Sequence, residues 1–302
     1  MNRVTTKRTL SATSHLVRTQ PGWQLRLLHA AGRSALYLIV SVLALLFALP
    51  LLWMISTSLK TDPQVYHVPP IWIPNPIQPS NYLDVLTRRP FGLWFANTML
   101  YCLPSTVGVL ASSTLVSYSF SRMRWWARDI CFYLCVGTMM IPFQVQMIPL
   151  YILFAKVGWV NSYKALVLPA FFGNAYFIFL LRQFFMTIPS ELSDAARVDG
   201  CSELGILGRI IIPLATPALA VVALLQFMWA WNDYLGPLIY LNRENLYPLA
   251  LGMQSMRASF VEKLVWPYVM AASTLVVAPI ILLFFVAQRT FIEGITLTGI
   301  KG

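Results

Sequence analysis

Charged side chains are scarce in this sequence, at 11% of the 302 residues, and only 11 residues are Asp or Glu. A soluble domain carries about a quarter charged residues, because water must solvate its surface. Six stretches contain no Asp, Glu, Lys or Arg: residues 34–59, 90–121, 130–155, 165–181, 210–232 and 264–288. Each is close to or beyond the ~20 residues that cross a bilayer as a helix. The sequence therefore predicts an integral membrane protein.

Other absences exclude catalytic and metal-binding classes. The three histidines are isolated, and the four cysteines show no Cys-x-x-Cys spacing, so neither a metal site nor a disulfide framework is indicated. The motifs Gly-x-x-x-x-Gly-Lys-Ser/Thr, His-Glu-x-x-His and Gly-x-Ser-x-Gly do not occur. We therefore expect no catalytic residue, no metal and no cofactor on this chain, which disfavours an intramembrane enzyme.

Basic residues are in excess, and the net charge is +11. If the N-terminus is cytoplasmic, 14 of the 22 Lys and Arg residues fall on the inner side of the membrane. This bias fits the positive-inside rule with both termini in the cytoplasm. The excess is thereby explained without nucleic acid, and we expect no nucleic-acid partner.

We predict an all-α polytopic protein in which a cytoplasmic N-terminal tail, residues 1–33, precedes a transmembrane domain, residues 34–302. The six predicted transmembrane helices are 35–58, 92–120, 129–154, 163–186, 209–233 and 265–290. A surface helix at residues 23–28 and a disordered tail are equally compatible with the tail's composition. The proline-rich link 59–91 predicts an extended external loop, because proline disfavours regular helix. Residues 234–264 predict a long, polar, external loop.

The loop 187–208 lies on the predicted cytoplasmic side and holds four of the eleven acidic residues. Ser190 after Pro189 is typical of a helix start, and Gly200 after Asp199 is typical of a helix stop. Ala residues between them favour helix and have minimal side chains. We expect a short cytoplasmic helix here, and a solvated loop is the alternative on composition alone.

At this loop the sequence resembles the inner-membrane permeases of binding-protein-dependent ABC importers. The matching residues are Asp194-Ala195-Ala196, then Asp199-Gly200, then Pro213 and Pro217. Asp194 replaces the Glu that opens the family's motif, which keeps the charge and shortens its reach. Further segments resemble the maltose and multiple-sugar branch, and the likeness covers about residues 35–302. The segments that resemble the maltose and multiple-sugar branch are residues 56–60, 81–82, 97–99, 118–122, 231–233 and 294–302.

The resemblance implies a type I importer permease fold with a cytoplasmic coupling helix, in the cytoplasmic membrane of a prokaryote. It implies as partners a second related permease, an external sugar-binding protein and two ATPase subunits, which bind ATP and Mg. The residues that would contact the ATPase or shape that contact are Glu191, Asp194, Ala195, Ala196, Asp199, Gly200 and Pro213. The function implied is carbohydrate import, and glycerol phosphate or another polyol remains an alternative substrate.

A substrate path through the membrane needs polar side chains that face a cavity. The candidates are Asn97, Asn174, Tyr176, Gln226, Asn232 and Tyr234. Hydrogen bonding between helices or anchoring at the membrane interface explains such residues equally well. An ion-coupled secondary transporter is the rival class, but it usually needs ionisable residues at mid-membrane depth, and the long apolar stretches contain no Asp, Glu, Lys or Arg.

Overall fold

The computed structural model describes residues 22–259 and 265–299, and within these ranges the secondary structure is helical, with no strand. The tail residues 1–21, part of the loop 234–264, and the C-terminal Lys301 and Gly302 lie outside the described residues. The chain divides into two compact units, residues 1–53 and 54–302.

The α-helices follow one another in this order. In the first half they are α1 (Gly22–Ser58), α2 (Asp62–Val65), α3 (Ser80–Arg88), α4 (Phe91–Arg122), α5 (Arg128–Gly137), α6 (Phe143–Lys156) and α7 (Lys164–Val167). In the second half they are α8 (Ala175–Thr187), α9 (Ser190–Val198), α10 (Glu203–Ile206), α11 (Ile212–Leu214), α12 (Thr216–Asn232), α13 (Leu235–Tyr240), α14 (Leu249–Ser259) and α15 (Trp266–Gly299).

Four segments of the described chain are long and apolar enough to cross a membrane: Gly32–Ser58, Phe91–Arg122, Lys164–Thr187 and Trp266–Gln288. Two further pairs of helices are long and apolar enough only when each pair is taken together, and both pairs are bent. The segment Arg128–Met140 meets Phe143–Lys156 at 100°, and Glu203–Leu214 meets Thr216–Asn232 at 81°. The count reaches the predicted six if each bent pair is one span. The prediction of one helix at 129–154 and one at 209–233 was wrong, because each range is broken by a bend.

Proline explains both bends. Pro142 follows Ile141, which is extended at φ −87° and ψ 111°, because the ring of a proline disfavours helical geometry in the residue before it. At the second bend Ala215 leaves helical geometry between Pro213 and Pro217. Pro217 lies at the start of α12, where its missing N–H costs no hydrogen bond.

The link 59–91 is more structured than predicted. It contains α2 and α3, and its prolines lie mainly between or at the ends of these helices. The buried Asn81 on α3 donates from Nδ2 to the Ser58 carbonyl at 2.8 Å and to the Lys60 carbonyl at 2.9 Å. The expectation of an extended loop was wrong because these side-chain contacts fix helical turns between the prolines.

The core of residues 54–302 centres on α4, which packs against α8 and α12. One cluster buries Phe177, Leu181 and Phe185 of α8 completely, together with Val222 of α12. A second cluster includes Trp94 and Trp231, with Leu249, Met256, Ala271 and Ala272. Gly252 is required there, because a Cβ at this position would overlap the Trp94 ring. These clusters fix the elements that carry the candidate site.

Candidate functional site

The predicted short helix in the loop 187–208 is confirmed as α9, which begins at Ser190 and ends at Val198. Gly200 has φ +78°, a left-handed backbone conformation that costs conformational energy for residues other than glycine. Its N–H donates to the Arg197 carbonyl at 3.0 Å. The glycine stop therefore turns the chain sharply between α9 and α10.

One face of α9 exposes apolar side chains. Leu192 is 44% exposed and Val198 is 87% exposed, and Ala195 between them is also exposed. Exposed apolar groups that cluster on one helix face are typical of a surface that another protein covers. The sequence pattern identified Ala195, but Leu192 and Val198 were missed because nothing in the sequence shows which side of so short a helix faces outward.

The opposite face of α9 packs inward. Ser193 is 1% exposed, and Ala196 packs against the core cluster that contains Phe185. The two alanines of the motif therefore differ: Ala195 is available at the surface, and Ala196 lets the helix approach the core closely.

An ion-pair network links α9 to the spanning helices. Arg197 donates from Nη1 to Asp194 Oδ1 and from Nε to Glu203 Oε1, both at 2.7 Å. Tyr118 on α4 donates its hydroxyl to Glu203 Oε2. The hydrogen bond to Glu203 raises the pKa of Arg197 above its ordinary value, so the guanidinium stays charged. Sequence reasoning missed this network, whose members lie up to 85 residues apart.

A second link joins the end of α4 to the end of α8. Arg122 donates from Nη2 to the carbonyls of Phe185 and Ile188. The last carbonyls of a helix have no partner within the helix, and a cation there also interacts favourably with the helix dipole. The segment that leads into α9 is thus held to α4.

The remaining predicted coupling residues lie in different places. Glu191 is exposed in the first turn of α9, and Asp199 is exposed at its C-cap. Pro213 lies in α11, at the 81° bend and outside α9. Pro213 is therefore placed to shape the bent span that follows the motif.

Aromatic rings gather where α8 and α12 meet. The ring centroid of Trp229 lies 5.5 Å from that of Tyr176 and 4.9 Å from that of Phe177. Tyr176 is 38% exposed and Trp229 is 48% exposed, so both side chains are partly accessible. Asn174 caps α8, accepting from the N–H groups of Tyr176 at 3.0 Å and Phe177 at 3.4 Å.

The other path candidates do not form one group. On α12, Gln226 is half-buried, and the exposed Asn232 donates to the Met228 carbonyl at 2.8 Å. Tyr234 lines a separate cavity of about 400 Å³ with Trp266. Asn97 is buried, and its amide donates to the carbonyls of Asn245 at 2.9 Å and Tyr247 at 3.0 Å. The Asn97 side chain thus holds the segment that contains Asn245 and Tyr247 to α4.

Metal ligands do not gather in the part of the chain that the structure describes. No group of three or more His, Cys, Asp or Glu side chains there has the geometry to hold a metal ion.

Comparison with known proteins gives consistent matches over most of the chain. Residues 105–296 match the family described as "Binding-protein-dependent transport system inner membrane component". The arabinooligosaccharides transport system permease protein AraQ of Halalkalibacterium halodurans is 32% identical, over 86% of this chain and 93% of its own length. The sn-glycerol-3-phosphate transport system permease protein UgpE of Pectobacterium atrosepticum is 34% identical, over 87% of this chain and 94% of its own length.

A solved structure supports the same assignment. It is described as a bacterial ABC transporter involved in the import of the acidic polysaccharide alginate, and one of its chains matches with a TM-score of 0.76 at 25% identity. The match covers 86% of this chain and 96% of that chain. The chain therefore belongs to the family of inner membrane components of binding-protein-dependent transport systems, the permease subunits of ABC importers.

Proposed function

We propose that this permease translocates a carbohydrate or a glycerol-derived solute, and that α9 couples the translocation to an ATPase. Family membership implies an ATPase and a binding protein as partners. A second related permease and a pair of ATPase subunits would complete the importer, with both termini of this chain in the cytoplasm. Relatives named for arabinooligosaccharides, sn-glycerol-3-phosphate and sulfoquinovosyl glycerol support the solute class.

The observation that carries the coupling proposal is the two-sided character of α9. Its outer face, formed by Leu192, Ala195 and Val198, is apolar and exposed, as a docking surface requires. On the other side, Arg197 and Glu203 tie the helix to Tyr118 on α4. A rigid displacement of α9 by the ATPase would therefore be transmitted to α4 and the helices packed on it.

The substrate path is proposed at the junction of α8 and α12. The partly exposed rings of Tyr176 and Trp229 offer flat apolar faces of the kind that sugar rings stack on, and Asn232 lies one helical turn beyond Trp229. Asn174, Gln226 and Tyr234 stay candidates beside them. Asn97 would act indirectly, through the external loop that its amide holds.

Transport by the complex reconstituted in proteoliposomes tests the function. The tagged chain is purified from its native host with its partner subunits, and ATP hydrolysis is measured with the associated binding protein and a panel of oligosaccharides and glycerol phosphates. We expect one solute class to stimulate hydrolysis and to accumulate inside vesicles only with ATP. Accumulation driven by an ion gradient without ATP would contradict the proposal.

The proposed substrate path is tested separately by measuring the transport rates of Trp229→Ala and Trp229→Phe. We expect the alanine variant to lower the transport rate about tenfold, because aromatic stacking contributes about 1–3 kcal/mol where it has been measured for nucleic-acid bases. Phenylalanine keeps a stacking face and should retain most of the rate. Equal rates for the wild type and the alanine variant would remove this junction from the path.

A further inference from the structure

A groove of about 720 Å³ lies between α9 and the connection from α4 to α5. This volume is within the range of small-ligand sites. Four arginines and two carboxylates line it, which leaves a local charge of +2: Arg122, Arg124, Arg128, Arg197, Asp194 and Glu203. The groove is distinct from the outer face of α9, because neither Leu192, Ala195 nor Val198 lines it.

The negative charges of the groove are already neutralised within the protein. Arg197 binds both carboxylates, Asp194 and Glu203. Arg128 pairs with Asp129 at 2.8 Å. Arg124 differs from the other three arginines, because its guanidinium has no hydrogen bond or ion pair with any residue in the described ranges. A free cation therefore remains at the groove.

Two buried polar atoms of the groove residues also lack a partner among the described residues. They are Oγ of Ser193, a residue only 1% exposed, and Nε of Arg122. The backbone N–H groups in the first turn of α9 have no side-chain cap, because the N-cap residue is Pro189, whose side chain cannot accept a hydrogen bond. A buried donor without an acceptor costs free energy, so these groups favour a bound acceptor. Ser193 and Arg122 both line the groove, and an anion with several oxygens offers acceptors to such donors.

Next to the groove the chain has the residues of a membrane interface. Trp125 and Trp126 follow Arg124 directly, and Trp126 is 95% exposed. Tryptophan beside arginine at the end of a spanning helix is typical of the headgroup level of a bilayer. Basic pockets between spanning helices at that level bind anionic lipid headgroups.

We propose that this groove binds the phosphate of an anionic phospholipid headgroup. Arg124 supplies the charge, and Ser193 Oγ and Arg122 Nε supply hydrogen bonds to the phosphate oxygens. A guanidinium suits this role because its planar donors match phosphate geometry. The bound headgroup would lie against α9 and stabilise one position of the helix. The inference depends on insertion of the chain in a membrane and is independent of ATPase docking.

Native mass spectrometry of the full-length tagged chain, purified in detergent with its partner subunits, tests the proposal. The probes are phosphatidylglycerol and phosphatidylcholine, which both contain a phosphate but differ in net charge. We expect phosphatidylglycerol to bind at least tenfold more tightly. Arg124→Gln should weaken its binding about tenfold, since hydrogen bonds between charged groups are the stronger ones. Arg209→Gln, which changes an exposed arginine outside the groove, should leave binding unchanged.

Two further variants separate binding from folding. Ser193→Ala should weaken phosphatidylglycerol binding several-fold, whereas a hydroxyl that merely lacks a partner would be replaced with no loss of lipid binding. Arg124→Lys keeps the charge and should retain part of the affinity. Circular dichroism of each variant should match the wild type, because neither the Arg124 guanidinium nor the Ser193 hydroxyl has a hydrogen-bond partner among the described residues.

Several results would overturn the proposal. One is equal affinity for the two lipids, and another is unchanged phosphatidylglycerol binding in Arg124→Gln. Displacement of the lipid by millimolar inorganic phosphate would show that the groove is a site for free phosphate. Phosphatidylglycerol that binds only after the ATPase subunits have been stripped away would show that the groove is a protein contact.

Discussion

Tyr118 on α4 donates a hydrogen bond to Glu203 at the start of α10, although 85 residues separate them in the chain. Glu203 in turn accepts from Arg197 on α9 at 2.7 Å. The proposed coupling helix is thereby connected to a spanning helix by side chains, in addition to the backbone that leads into it. Movement of α9 relative to α4 must either break this network or displace both helices together.

The first prediction concerns this network. Tyr118→Phe keeps the ring and removes the hydroxyl, so the Glu203 carboxylate loses one partner. Hydrogen bonds to charged groups contribute about 1.5–3 kcal/mol, so we expect transport per ATP hydrolysed to fall about tenfold in proteoliposomes. ATP hydrolysis itself should persist, because the docking face of α9 is unchanged.

The matched control for this prediction is Tyr133→Phe on α5, where the side chain is 72% exposed. It should behave as the wild type. Equal ratios of transport to hydrolysis in Tyr118→Phe and in the control would show that the network does not transmit the movement of α9.

The second prediction concerns the turn after α9. Gly200→Ala places a methyl group in open space, but φ +78° is strained for any residue with a Cβ, by about 1–2 kcal/mol. We expect relaxation of the turn to reorient α9 and to lower the transport rate. Gly200→Asn should be milder, because asparagine tolerates this conformation.

Gly208→Ala adds the same methyl group in open space where the backbone is not left-handed, so it should transport normally. Membrane insertion of each variant is checked by the yield of purified protein. A Gly200→Ala variant with full transport would mean that the turn geometry is dispensable.

The third prediction concerns packing of the second core cluster, which contains Trp94. Gly252→Ala drives a methyl group into the Trp94 ring, and overpacking of this kind costs about 1–3 kcal/mol. We expect thermal unfolding of the purified protein in detergent to shift to lower temperature. Gly92→Ala adds a methyl group in open space near the start of α4 and should not shift it. A second substitution, Trp94→Phe, should restore part of the loss, and no restoration would argue against the Trp94 contact.

The fourth prediction concerns the loop that Asn97 holds. Asn97→Ala removes two hydrogen bonds to backbone carbonyls, each contributing about 1 kcal/mol. We expect faster hydrogen exchange of the amides at 243–249. Asn245→Ala keeps the backbone carbonyl that Asn97 contacts, so the exchange rates should match the wild type. If Asn97→Ala lowers transport at unchanged exchange rates, this residue acts in the substrate path.

Composition was enough to predict the membrane class, because charge-free stretches of about 20 residues leave few alternatives. Ser190, Asp199 and Gly200 likewise predicted α9, because helix starts and glycine stops are local features. The bends at Pro142 and Ala215 were not predicted. Proline inside a spanning helix is tolerated in many membrane proteins. Four prolines of this chain lie within helices, so the presence of a proline does not by itself predict a bend: Pro50, Pro104, Pro149 and Pro279.

The long-range contacts that position the residues of the site could not be predicted from the sequence. The partners of Asn97 and Glu203 are distant in the chain, and their spacing follows no local period. The different roles of Ala195 and Ala196 were also hidden, since only the packing of α9 on the core decides which alanine faces outward.

The central claim is that the outer face of α9 holds the ATPase. Co-purification of the ATPase with tagged Ala195→Asp/Val198→Asp, extracted from native membranes, tests it most directly. Val157→Asp, at a 51% exposed site just after α6, serves as the control. We predict that the double variant inserts in the membrane and loses the ATPase at least tenfold, while the control retains it. Wild-type amounts of ATPase on the double variant would contradict the account.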